Sequence, residues 1–99
     1  MAVNDLTAKT ITSTGYVSGS SGNPQPARVK SIYYVASGTA GSIVLKDGGS
    51  GGTTLMTIAT PASATATENV YIPEGGVRFR TDVHATLTNV TSVTVFHDG

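Results

Sequence analysis

Cysteine is missing from this chain altogether, which excludes disulfide staples and thiolate chemistry. Charge is scarce too. Lys, Arg, Asp and Glu make up 12% of the residues and the formal net charge is zero, against a usual charged share of about a quarter. Nucleic-acid binding needs a basic face that displaces counterions, and membrane-surface binding needs a polybasic patch; this composition supplies neither. There is no tryptophan, the residue best suited to stacking on a sugar ring. No stretch approaches the roughly 18 apolar residues of a membrane span. The start, Met1-Ala2-Val3-Asn4-Asp5, lacks the basic and apolar regions of a targeting segment. Without such a leader, the Asn89-Val90-Thr91 sequon reads as coincidence.

What is present is Thr, Val, Ser and Gly. A chain of 99 residues makes one domain and buries roughly 60–70% of its unfolded surface, so its core is thin. With no staple, oligomerisation or docking on a partner is the expected further source of stability. A surface with few charges suits such contacts, because little charge has to be desolvated.

Thr and Val are stiff at χ1 and fit a pleated sheet better than a helix. Short runs of them recur between Gly, Pro, Asn, Asp and Ser clusters, and no long window has helical periodicity. The pattern predicts an all-β, antiparallel β-sandwich, jelly-roll-like, of seven or eight short strands. Leu6 to Thr14 reads as an edge strand or an arm, and Ser18 to Pro26 as a Gly/Ser/Pro linker. Residues 1–26 are therefore expected to stand apart from a sandwich domain over 27–99. Arg28 to Ser37 has apolar groups on both faces, as in a central strand or one covered on both sides. Ser42–Lys46 and Thr53–Ala59 read as a hairpin around the glycine tip Gly48 to Gly52. Thr67–Ile72 is a strand, then the turn Pro73-Glu74-Gly75-Gly76. In Val77–Thr81, Val77, Phe79 and Thr81 are expected inward with Arg78 and Arg80 outward. Val83–Thr88, a turn over Asn89 to Ser92, and a last strand carrying Val93 and Val95 complete the series.

Chemistry finds little foothold. Gly48 to Gly52 lacks the Lys-Ser/Thr and helix of a phosphate loop. His84 and His97 have no carboxylate at a telling spacing and are expected to be solvated or at an interface. Asp5, Asp47, Glu68, Glu74, Asp82 and Asp98 mostly fall at turns, where they cap local amides. No metal site, cofactor, small-molecule substrate or enzyme activity is expected. The contact candidates are Arg28 and Lys30, which share one strand face, Arg78 and Arg80, which share another, and Tyr16 and Tyr33. The cations read either as a solvated face or as a dock for an acidic neighbour. Tyr34 and Tyr71 read either as contacts or as core.

The stretch RVKSIYYVASGTAGSIVLKDGGSGGTTLMTI, the turn IPEGGVRFRTD and the ending LTNVTSVTVFHDG resemble a group of small proteins encoded among the structural genes of tailed bacteriophages. The resemblance runs from Arg28 to the C-terminus and rests on turn-and-strand patterns. It implies a virion protein made in the host cytoplasm: a decoration or cement protein on the capsid surface, a homo-oligomer with a trimer favoured, bridging the major capsid protein. A head–tail connector, tail or fibre component is the first alternative. A carbohydrate- or receptor-binding module at the virion surface, using Tyr16 or Tyr33, is the second.

Overall fold

The computed structural model describes residues 6–72 and 75–98. Met1 to Asp5, Pro73, Glu74 and Gly99 lie outside the described residues, and with them the Asp5 and Glu74 carboxylates and half of the expected Pro73–Gly76 turn. Among the described residues nine strands follow in order: β1 (Thr7–Ile11), β2 (Gly15–Ser18), β3 (Ala27–Ala36), β4 (Gly41–Asp47), β5 (Thr53–Thr60), β6 (Thr67–Tyr71), β7 (Val77–Phe79), β8 (Val83–Thr88) and β9 (Val90–Asp98). The strand beyond the expected seven or eight is β2, which is bounded by the turn-type residues Gly15 and Ser18.

The strands form two antiparallel sheets. The first runs β1-β9-β3-β6, with β7 also on β3; the second runs β2-β8-β4-β5. β6 pairs with Ser31–Val35 of β3 and β7 with Ala27–Val29, so the two share one flank of β3 end to end. β3 is thus central, as its double apolar pattern predicts.

The inner faces meet in one core. Val29, Ile32 and Tyr34 of β3 and Val93 and Val95 of β9 come from the first sheet; Ile43 and Leu45 of β4 and Val83 and Ala85 of β8 come from the second. Phe79 of β7 is fully buried among them. A register shift between Val29 and Ser31 keeps β3 facing inward on either side of the bulge.

The sheets carry no division at residue 26. β1 pairs with β9 along its whole length and β2 pairs with β8, and Val17 of β2 is buried in the core. An edge strand is what residues 7–11 form here. The Gly/Ser/Pro segment is also braced: Ser20 and Asn23 exchange backbone hydrogen bonds of 3.1 and 2.9 Å, and the Ser18 hydroxyl donates to the Gln25 carbonyl at 2.9 Å.

Two further expectations are corrected. Thr81 does not point inward with Val77 and Phe79; β7 ends at Phe79 and Thr81 is exposed. The chain turns between β8 and β9 on Asn89 alone, with φ 52°, a left-handed conformation that Asn tolerates through its short polar side chain. Gly41, beside this turn, cannot be replaced without movement, because a Cβ there would run into the Thr88 carbonyl.

Candidate docking face

In an antiparallel pair, opposed residues share a face. On the outer side of the first sheet, Phe96 of β9 opposes Ala8 of β1 and Ser31 of β3, and Ser31 in turn opposes Tyr71 of β6. The next row is Thr10, Thr94, Tyr33 and Asn69; the Thr10 and Thr94 hydroxyls are hydrogen-bonded at 2.8 Å. Ser92, Val35 and Thr67 make the third row. None of these residues is charged. Tyr71 is 80% exposed and Tyr33 39%, while Phe96 and Val35 are half-buried. Among the described residues, no layer lies above the apolar residues on the second face of β3.

Charge begins in the row beyond Phe96. Arg28 opposes Asp98 on one side and Arg78 on the other. Lys30, at the bulge, places Nζ 3.4 Å from Asp98 Oδ2. Arg28, Arg78 and Asp98 line a depression of about 200 Å³ together with Phe79. Among the described residues, three of the chain's six Lys and Arg residues thus meet with one carboxylate, Asp98. Like charges directly opposite one another on a sheet repel, and Asp98, opposite Arg28 on its other side, offsets part of that repulsion. An anionic partner would relieve it. The exposed Lys30–Asp98 pair contributes little by itself.

The other contact candidates lie elsewhere. Arg80 falls after β7 and is exposed, and its backbone N–H donates to Asp47 Oδ2 at 3.0 Å. Tyr16 sits on the outer side of the second sheet, its ring edge-on to His84 with centroids 5.0 Å apart. Tyr34 is core and Tyr71 is not. Phe96 and Asp98 were legible as outward positions from their alternation with Val93 and Val95, but their meeting with Tyr33 and Arg28 depends on the β3–β9 register.

At the opposite sheet the glycine tip is held rather than free. Asp82 Oδ1 accepts from the Gly48 and Gly49 N–H groups at 3.0 and 2.9 Å. Asp47 accepts in return from Arg80, Thr81 and Asp82, at 3.0, 2.8 and 3.4 Å. Each carboxylate caps the other's loop. Desolvation pushes the Asp47 carboxyl up, but the three amides outweigh it and hold it below its ordinary value. Gly49 has φ 81°, and a Cβ would approach the Tyr16 hydroxyl to 2.9 Å, so glycine is required where the loop passes Tyr16.

Neither histidine is solvated. His84 is 5% and His97 6% exposed, and the Nδ1 atom of each is buried without a hydrogen-bond partner among the described residues. Burial lowers the His84 pKa, Lys46 lowers it further, and Asp82 offsets part of this. Burial also lowers that of His97, against Asp98. A folded-state pKa below the unfolded value of about 6.5 means the unfolded chain takes up protons more readily. Their contribution to stability is therefore full above about pH 6.5 and is lost as pH falls through the folded values. Denaturant melts at pH 8 and pH 5 are expected to show lower stability at pH 5, with both imidazoles titrating below 6.5 by NMR. Equal stability at the two values would contradict this.

Among the described residues no group of three or more His, Asp or Glu side chains converges as a metal site would need. No protein-family model, curated protein or solved structure matches the chain.

Proposed function

We propose that the chain is a non-enzymatic structural protein of a virus particle, a decoration protein that docks on the capsid through the outer face of the first sheet and bridges major capsid subunits. The observation that carries the reading is that face: an uncharged field around Tyr33, Tyr71 and Phe96, bordered by the Arg28–Lys30–Arg78 row. Tyr and Arg are the residues that most often dominate binding energy at interfaces. The missing charge in the field means that little has to be desolvated when a partner covers it.

Strand order supports a jelly roll. With β6 and β7 taken as one interrupted strand, the eight positions pair first with last, second with seventh, third with sixth and fourth with fifth. That wrap recurs in viral capsid proteins and in lectins. Fold alone does not give function, so the docking face carries the argument and the wrap agrees with it.

The test is quantitative mass spectrometry of purified particles, scaled to the major capsid protein. A fixed ratio close to one chain, or one small oligomer, per capsid subunit cluster is expected. A few copies per particle would move the chain to a connector or tail, and absence from particles would end the reading. Glycan binding is the second reading, favoured by the 80% exposure of Tyr71, which leaves its ring free to stack; binding to a glycan array that a Tyr71→Ala variant loses would establish it.

A further inference from the structure

A sheet edge is a row of unpaired backbone N–H and C=O groups, and soluble proteins guard such edges with charge, brevity or bulges. The edges of this sandwich differ sharply in that respect. β1 carries Lys9 in its five residues. β2 has four residues and a register shift between Tyr16 and Ser18. β6 carries Glu68, and β7 has three residues with Arg78 at the centre. β5 is different. It runs for eight residues, Thr-Thr-Leu-Met-Thr-Ile-Ala-Thr, with no charge and no proline. Among the described residues it pairs only with β4. Its one irregularity, the extra residue Leu55, lies near its start and leaves Met56–Thr60 in regular register with β4. Leu55 is 40% exposed.

We propose that β5 is an interchain pairing site whose occupant is β5 of a second copy of this chain. Antiparallel self-pairing about a two-fold axis at Thr57 sets Met56 of one copy against Ile58 of the other, twice. Both residues point inward, opposite Leu45 and Ile43 of β4, and both are only partly buried at the rim of the core. The pairing therefore joins the two cores and covers their open ends with apolar groups, while Thr57 faces Thr57 on the outer side, where it opposes Val44 of β4. A strand without charge meets its own copy with no like-charge contact, whereas β1, β6 and β7 carry Lys9, Glu68 and Arg78 and β2 is short and irregular. The second sheets of the two copies become one continuous sheet. The assembly is a dimer, in place of the trimer that the resemblance implies. It leaves the outer face of the first sheet open, so its fate is independent of the docking proposal.

Sedimentation equilibrium of the full chain over a range of concentrations tests this. The wild-type chain is expected to dimerise. Thr57→Lys places two ammonium groups against each other at the axis without touching the core, and is expected to weaken the dimer at least tenfold while the circular dichroism spectrum is unchanged. Mixing Thr57→Lys with Thr57→Glu is expected to restore association as a heterodimer. A monomer at every concentration, a trimer, or a Thr57→Lys dimer as tight as the wild type would overturn the proposal. Tyr71→Lys, on the other sheet, is expected to leave the dimer unchanged.

Discussion

Replacing Asp82 with alanine is expected to destabilise the fold by about 2–6 kcal/mol, because the Gly48 and Gly49 amides lose their acceptor together and a buried, unsatisfied amide costs roughly 1–3 kcal/mol. The Gly49 bond is buried and the Gly48 bond only partly so, which places the effect in the lower half of that range. Native domains are stable by only about 5–15 kcal/mol, so the loss is a large part of the total. Asp82→Asn keeps an acceptor oxygen and is expected to recover more than half of it. Asp47→Ala removes the reciprocal cap from Arg80, Thr81 and Asp82. Since both carboxylates tie the same two loops, the double variant is expected to cost less than the two single losses added together, the signature of coupled residues. Urea melts give these values, and amide exchange at Gly48 and Gly49 localises them. A loss below 1 kcal/mol in Asp82→Ala would mean that the loop holds itself through Gly52 N–H to Gly49 O and Lys46 Nζ to Ser50 O alone.

Much of the architecture was legible because strand periodicity is a local property. Alternation in Ser42–Lys46 sets Ile43 with Leu45 on one face, and in Val83–Thr88 it sets Val83 with Ala85 and Leu87; the first four are fully buried and Leu87 partly so, whereas both faces of Arg28–Ser37 are apolar and only the second sheet selects Ile32 and Tyr34 as inward. β2 was not legible, since Gly15 and Ser18 read as turn residues and Val17 became core only through pairing with β8. His84 was misread for a related reason. It does lie on the outer side of its strand, but the Tyr16 ring packs against it, and Tyr16 is far from it in sequence. The Asp47–Asp82 clasp depends on loops more than 30 residues apart, which no local pattern brings together. The candidate site was legible in pieces. Arg28, Lys30, Tyr33 and Arg78 could be named, while their assembly with Tyr71, Phe96 and Asp98 required the register of β3 against β6, β7 and β9.

That assembly is the central claim, and its consequence for binding is large. A buried Tyr at the centre of an interface is commonly worth about 2 kcal/mol or more, roughly a thirtyfold change in affinity. Lysine at Tyr33 or Tyr71 adds the desolvation of a new charge. Because both side chains are exposed, neither change is expected to disturb folding. Arg28→Glu and Arg78→Glu reverse the basic row and are expected to weaken docking in a salt-dependent way.

The most direct measurement is therefore binding of purified chain to particles that lack it, comparing the wild type, the Tyr33→Lys/Tyr71→Lys double variant, and Thr57→Lys on the other sheet. Loss of at least a hundredfold in affinity for the double variant, with the Thr57 variant still binding each particle site, is the result expected of docking through the first sheet. Full binding by a folded double variant would contradict it.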